Sequence, residues 1–258
     1  ESRVDRSTSS RWVRKWVLQD FAAAMRTAVA CGVASEAMRA EYESTYGTPC
    51  VVLRKGVSRT LRRSRVLGRR HEVYRIAFAG VCYAVEEFLA LAKALQRTQW
   101  RLAGRDIRIV MIGAVPPSVP HAAFIEYLGY RSEAETIHLV SECDIGYVPY
   151  WFDPKQDRSV KLCSPSKIST YVAAGVPILY HGPRNSSPTT FLAQYDIGVA
   201  CHSLDPDEIL RVLATAMADP LFGDGRAPAL DAAFENEFNL RVYQQRVRML
   251  LGINGAAE

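Results

Sequence analysis

Residues 73–218 alternate short runs of β-branched and other apolar residues with stretches of helical periodicity, and this alternation limits the possible folds more than any other feature. The runs predicted as strands are 73–79, 107–112, 123–128, 144–148, 177–180 and 197–201, and the stretches predicted as helices are 85–97, 133–142, 166–174, 189–194 and 206–218. Strands and helices that alternate at this length form a parallel sheet with helices on both faces. The sequence therefore predicts an α/β protein with a doubly wound, Rossmann-like sheet, whose ligands bind beyond the carboxyl ends of the strands.

Helix-start signals support this assignment. Ser132 and Glu135 have the spacing of a capping box, and Asp205 followed by Pro206 is typical of a cap followed by the first helical position. The flanking segments are predicted to be helical at 12–25, 35–46 and 238–251 and extended at 28–32 and 50–53.

Composition excludes several classes of protein. The 258 residues contain no apolar run of the roughly 18 to 20 residues needed to span a bilayer, and the first fifteen residues lack a signal-peptide pattern. The six cysteines stand far apart with no C-x-x-C pair, and the five histidines are scattered. This pattern favours free thiols in a reducing, cytoplasmic compartment and predicts no metal site.

Positive charge is concentrated near the N-terminus. Residues 1–75 carry 16 Lys+Arg against 7 Asp+Glu, and most of this excess lies in residues 54–75. Such a stretch could bind phosphates, an anionic membrane surface or nucleic acid, or could be a solvated loop. No aromatic residue interrupts it before Tyr74, so nucleic acid is not expected as a partner.

Four stretches in a fixed order carry a resemblance to a known family. They are VACGVASEAMRAEYESTYGTPCVVLRKGVS, IRIVMIGAV, IEYLGYRSEAETIHLVSECDIGYVPY and SPSKISTYVAAGVPILYHGP. Together they resemble the C-terminal domain of GT-B glycosyltransferases of the clan that includes glycogen synthases. The first leads into the family's P-N-G-V-D hinge, although Lys55 replaces its Asn and Ser58 its Asp.

The resemblance implies an organisation and an activity. Residues 1–50 would be a remnant of the acceptor domain, 51–235 the donor-binding domain, and 236–258 a helix crossing back. The intact protein would transfer a sugar from a nucleotide diphosphate sugar, UDP-sugar first, to a glycan or lipid-linked acceptor held by an absent domain. It would serve polysaccharide or glycan biosynthesis without a metal or other cofactor, and this chain alone would be inactive. The basic stretch would allow contact with the inner face of the membrane.

Lys167 is the principal predicted site residue. Ser164 is predicted to cap a helix and Pro165 to begin it, which places Ser166 and Lys167 in the first turn. A lysine is unfavourable there unless an anion binds nearby. A diphosphate would accept hydrogen bonds from free backbone N–H groups and satisfy this charge, whereas the alternative is an exposed lysine on a solvated turn.

Two departures from the family pattern affect the chemistry. Many retaining relatives hold the ribose with the second of two glutamates, and at the two corresponding positions this chain has Leu162 and Thr170. Thr170 could offer one hydroxyl to a ribose, but it cannot bind a diol as a carboxylate does. The loop beginning at Gly80 lacks the family's Arg and Lys, so the missing charge would come from Lys167, from the basic stretch, or from nowhere.

Three further residues are candidates for nucleotide binding. Tyr130 could stack on the base and Arg131 could stack or hydrogen-bond, or the tyrosine could close a loop over the core. Tyr150 follows a predicted strand and is placed in the donor site. Two other functions stay open: a GT-B sugar-nucleotide epimerase, and a non-catalytic partner subunit that has lost the site.

Overall fold

The computed structural model describes residues 8–64, 72–114, 119, 122–219 and 222–253, with side chains from Val13 onward. Its first part is small. It consists of α1 (Thr8–Thr27), β1 (Cys31–Val33), α2 (Glu36–Tyr46) and β2 (Cys50–Val52). The strands β1 and β2 pair in parallel over a small core that includes Val33 and Val52. Trp16 on α1 is 66% exposed.

The main part is one seven-stranded sheet with helices on both faces. Its strands are β3 (Val73–Ala79), β4 (Arg101–Leu102), β5 (Arg105–Ile112), β6 (Ile125–Gly129), β7 (Ile145–Pro149), β8 (Ile178–His181) and β9 (Gly198–Cys201). The order across the sheet is β6-β5-β3-β7-β8-β9, all parallel, and β4 pairs antiparallel with the start of β5. The order reverses direction between β3 and β7, which makes their carboxyl ends the switch point where ligands of such sheets bind.

Eight helices follow α1 and α2 in sequence among the described residues. They are α3 (Val85–Arg97), α4 (Glu133–Ser141), α5 (Asp157–Leu162), α6 (Lys167–Ala173), α7 (Ser187–Tyr195), α8 (Pro206–Ala218), α9 (Ala227–Ala233) and α10 (Leu240–Leu250).

The central strands are apolar on both faces because both faces are covered. Along β3, Ile76 and Phe78 belong to a core shared with α3 and α8, whereas Ala77 and Ala79 belong to a second core shared with α4, α6 and α9. All four side chains are at most 4% exposed. This continuous burial is the expected signature of a parallel sheet between two helical layers and confirms the predicted doubly wound fold.

The C-terminal segment packs against the segment that links the two parts. Val57 donates its backbone N–H to Phe238 O at 2.7 Å and accepts from Leu240 N at 3.0 Å. A side chain at Gly56 would collide with Tyr243 Cβ at 2.8 Å, so α10 lies directly on this link. The buried ion pair of Arg54 Nη1 with Glu237 Oε2, 2.5 Å apart, adds a polar connection.

Most elements predicted from the sequence are confirmed, including the Ser132–Glu135 capping box and the Asp205 cap. The strand predicted at 28–32 is displaced, since α1 continues to Thr27 and β1 occupies Cys31–Val33. The short α5 and α9 were not predicted, because they are only six and seven residues long and neither shows a helical alternation of apolar and polar residues. No helix within the described residues is long and apolar enough to cross a bilayer. The division into three domains stays a prediction.

Candidate functional site

Glycines shape the carboxyl edge of the sheet. Gly80, Gly113 and Gly129 follow or end β3, β5 and β6 with φ values of 90°, 127° and 67°. Gly80 donates its N–H to Ile112 O at 2.7 Å, and Gly113 donates to Gly129 O at 2.9 Å. A Cβ at Gly113 would lie 2.6 Å from Gly80 O, so this close approach of two chain segments requires glycine. Gly80 itself is exposed and has open space around it, as a backbone that a ligand approaches would have.

Lys167 reaches the Gly80 loop from the other side of the switch point. It is the first residue of α6, and its ammonium lies 3.4 Å from Val81 O. The same ammonium lies 4.2 Å from the centre of the Phe78 ring. The fold therefore brings a cation to the loop that contains none of its own, although the two are 86 residues apart in sequence.

The ammonium of Lys167 lacks a carboxylate partner among the described residues. Burial lowers its pKa to about 8, and the neighbouring Cys82 raises it only in part. Desolvation disfavours the charged form of a lysine, and a nearby anion would favour it. Lys167 is thus a cation that an anionic ligand would stabilise.

The start of α6 differs from the prediction in a way that matters for phosphate binding. The predicted Ser164 cap is wrong: the N-cap position is Ser166, and its side chain makes no capping hydrogen bond. The backbone N–H groups of Ile168 and Ser169 already donate to Pro165 O and Ser166 O, at 3.1 and 3.2 Å. These two hydrogen bonds close the first turn of α6, and the charge of Lys167 is the feature of this helix start that would attract an anion.

Tyr130 and Arg131 lie at the same edge, just beyond β6. Tyr130 is 76% exposed, and Arg131 Nη1 donates to Tyr130 O at 2.9 Å. Since β6 is two strands from β3, the backbone here is about 10 Å from Gly80. Neither residue hydrogen-bonds to Lys167 within the described part of the chain. Their exposure leaves both side chains accessible to a ligand.

Tyr150 and Thr170 occupy buried positions. Tyr150 is 7% exposed, donates its hydroxyl to Cys163 O at 3.3 Å and packs against Trp151 and Tyr180. Thr170 is 9% exposed on α6. Ser164 is half-buried and Ser166 is exposed. Of the predicted residues, the structure brings Lys167 to the Gly80 loop and places Tyr130 and Arg131 at the same edge, and it turns Tyr150 and Thr170 inward.

Several cations in the described part of the basic stretch form ion pairs within the chain. Lys55 pairs with Glu133 at 2.7 Å and Arg59 with Glu235 at 3.4 Å, and Arg62 pairs with Asp231. These pairs provide local counter-charge for three cations that were candidates for binding an external anion. Arg65, Arg69 and Arg70 lie outside the described residues.

Sequence reasoning missed two residues near this edge. The ring of Phe78 packs against the Lys167 ammonium. Glu87 lies in the first turn of α3 and is 2% exposed. Glu87 accepts a hydrogen bond from Phe152 N at 2.8 Å, and burial raises its pKa. Its position could have been noticed, because Glu87 shares the buried face of α3 with Leu91 and Ala94 at helical spacing.

His181 is buried at the end of β8 and is not available as a general base. Its two ring nitrogens lie 2.8 Å from the Tyr147 hydroxyl and 2.7 Å from Ser203 O. Burial lowers its pKa to about 4, so the imidazole is neutral at physiological pH.

The fold matches that of solved glycosyltransferases. By sequence, the chain matches no protein-family model and no curated protein. By structure, it is similar to WaaG, a glycosyltransferase involved in lipopolysaccharide biosynthesis, with a TM-score of 0.61 and 12% identity over 98% of this chain and 74% of that one. It is also similar to HepE from Anabaena in complex with UDP-glucose, with a TM-score of 0.65 and 13% identity over 89% of this chain and 65% of HepE.

A third similar structure is sucrose-phosphate synthase from Thermosynechococcus elongatus, with a TM-score of 0.67 and 13% identity over 92% of this chain. This chain covers 61% of the length of that synthase, so it spans less than two thirds of both HepE and the synthase. The TM-scores establish a shared fold, and at identities this low they show the fold alone. The chain therefore has the fold of the GT-B glycosyltransferases.

Proposed function

We propose that this chain is the nucleotide-sugar-binding part of a glycosyltransferase that transfers a sugar from a nucleotide diphosphate sugar to an acceptor hydroxyl. One observation carries the proposal: the ammonium of Lys167 lies against the Gly80 loop at the switch point without a carboxylate partner among the described residues. A departing diphosphate is where negative charge develops in such a reaction, and a fixed cation there stabilises it.

The shape of the edge agrees with this proposal. The open backbone at Gly80 allows a phosphate to approach closely, and Tyr130 presents an exposed ring at the rim. The complex of HepE with UDP-glucose shows that a protein of this fold holds such a donor. UDP-sugar is accordingly the first donor to test, with no metal or other cofactor required.

The acceptor, a glycan or a lipid-linked sugar, would be held by a further domain, so the isolated chain would bind donor without turning it over. The expected setting is the cytoplasm, with peripheral contact to the membrane through the basic residues of 54–75. Polysaccharide or glycan biosynthesis would be the corresponding pathway, since the similar protein WaaG is involved in lipopolysaccharide biosynthesis.

Calorimetric titration of UDP and GDP tests the donor site. Lys167→Ala should weaken UDP binding by about tenfold or more, because a hydrogen bond to a charged group contributes about 1.5–3 kcal/mol. Lys93→Ala, which removes an exposed lysine from α3, is the matched control and should bind as wild type does. Equal affinity of Lys167→Ala and wild type would remove Lys167 from the site.

A second candidate function is a non-catalytic partner subunit with a glycosyltransferase fold. The observation that favours it is the burial of Leu162 and Thr170, at 6% and 9% exposure, where the family pattern places glutamates. A chain that binds neither UDP nor GDP would support this candidate. Product analysis with the full-length protein separates sugar transfer from the third possibility, epimerisation of the sugar nucleotide.

A further inference from the structure

A cavity of about 610 Å³ opens beside the sheet edge and does not include Lys167. Its walls are the end of the Gly80 loop, the start of α3 and the segment that follows β7. The Gly80 loop separates the two regions, since Val81 contacts Lys167 and Tyr83 lines the cavity. The cavity is therefore a neighbour of the proposed donor site with a lining of its own.

One wall of the cavity is aromatic and held in place. Tyr83 is 60% exposed, and the centre of its ring lies 6.3 Å from that of Trp151 at an angle of 46°. The indole N–H of Trp151 donates to Tyr83 O at 3.0 Å, which fixes the orientation of the larger ring. A fixed aromatic surface that faces a cavity is suited to pack against an apolar face of a ligand.

The polar part of the cavity is acidic. Glu86 and Asp153 are exposed at its rim, and the buried carboxyl of Glu87 lines it while Oε1 is held by Phe152 N. Lys155 is the one cation among its lining residues, and Gln156 adds an amide. Burial raises the pKa of Glu87, and the hydrogen bond from Phe152 N lowers it in part.

These features define the class of ligand. Phosphate groups are disfavoured, since carboxylates outnumber the single lysine. A pyranose ring has an apolar C–H face that packs on an aromatic ring, and its vicinal hydroxyls both donate to carboxylates and accept from an amide. We propose that this cavity binds an uncharged sugar ring, independently of the nucleotide site at Lys167. This goes beyond the donor binding proposed above, because it requires no nucleotide.

The test uses the whole chain and neutral sugars as probes. Saturation-transfer NMR with methyl α-glucoside, maltose and N-acetylglucosamine should detect binding of at least one of them without nucleotide. Tyr83→Ala should weaken that binding about fivefold or more through loss of the aromatic contact. Trp16→Ala, which removes an equally exposed aromatic ring from α1, is the control and should bind as wild type does. Glu86→Gln should also weaken binding, with thermal unfolding confirming that each variant is folded.

Three outcomes would overturn the proposal. The first is that none of the three sugars shows a saturation-transfer signal. The second is that Tyr83→Ala binds the sugar as tightly as wild type does. The third is that choline binds in the cavity and the sugars do not. Lys167→Ala separates this proposal from the donor site, because it should lose UDP binding and keep sugar binding. Wild-type protein that binds a sugar but does not bind UDP would count against the donor proposal without affecting this one.

Discussion

Nucleotide binding should be coupled to protonation of Lys167, and the pKa of the free protein sets the size of the coupling. With a pKa of about 8, half of the Lys167 side chains are neutral at pH 8. A diphosphate in contact with the ammonium would return the pKa to its usual value of 10.5 or above. Binding should then take up about half a proton per nucleotide at pH 8 and about 0.9 at pH 9.

Calorimetry measures this uptake directly. UDP is titrated in Tris and in HEPES at pH 8, and the difference in heat divided by the difference in buffer ionisation enthalpy gives the number of protons. Lys167→Arg keeps the charge but has a guanidinium whose pKa stays above the working range. This variant should bind UDP with no proton uptake. Lys93→Ala, the exposed control, should show the wild-type uptake.

The sign of the pH dependence provides a second readout. Because the ligand selects the protonated form, the apparent affinity of wild type should fall above pH 8, approaching tenfold per pH unit, whereas that of Lys167→Arg should stay nearly constant. UDP binding without proton uptake in wild type would refute the reasoning. So would an uptake of the same size in Lys167→Arg, because some other group would then be the one that titrates.

Three further predictions follow from particular contacts. Tyr130→Ala should weaken nucleotide affinity about tenfold or more by removing a stacking surface. It should leave the melting temperature nearly unchanged because the ring is 76% exposed. A lowered melting temperature with unchanged affinity would make the residue structural. Gly113→Ala should lower the free energy of unfolding in urea by about 2 kcal/mol or more. The control Gly104→Ala, at a position with φ 78° and open space, should lower it by only about 1 kcal/mol. Equal losses would contradict the close approach of Gly113 to Gly80. Glu237→Gln should cost about 3–5 kcal/mol at pH 7 by leaving Arg54 buried without its counter-charge. Burial would raise the pKa of Glu237, but Arg246 and Arg54 lower it on balance. The contribution of Glu237 to stability should therefore be present above pH 4.5 and lost as the pH falls through its pKa in the folded protein. Unfolding measured across an acid titration tests this.

Local signals were sufficient to predict the scaffold of the site. The strands of a parallel sheet are continuous apolar runs, and helices reveal their starts through caps such as Ser132 with Glu135. The alternation of the two then determines which loops lie at the carboxyl edge, and the Gly80 loop and Tyr130 are found there. These features depend on residues close together in sequence, which is why periodicity and capping patterns identify them.

Features set by tertiary packing were not accessible in this way. The cap of α6 was predicted two residues too early because Ser164 and Pro165 have the residue types of a cap and a first position, whereas the chain makes a tight turn closed by the hydrogen bond from Ile168 N to Pro165 O. The side chain of Tyr150 turns into the core because Cys163 O and the ring of Tyr180 are available there. Neither partner is visible from the residues that adjoin Tyr150 in sequence.

The origin of the positive charge at the Gly80 loop shows how local sequence and tertiary packing combine. The family resemblance places cations within this loop, where the chain has only Val81, Cys82, Tyr83 and Ala84, and the fold supplies Lys167 from α6 instead. The ammonium is held between the Phe78 ring and Val81 O, so it is desolvated without gaining a carboxylate. The same arrangement that lowers its pKa leaves the charge unsatisfied until an anion arrives. A site that is electrostatically unfavourable when empty gains most from a diphosphate, because binding removes a cost that folding has already imposed.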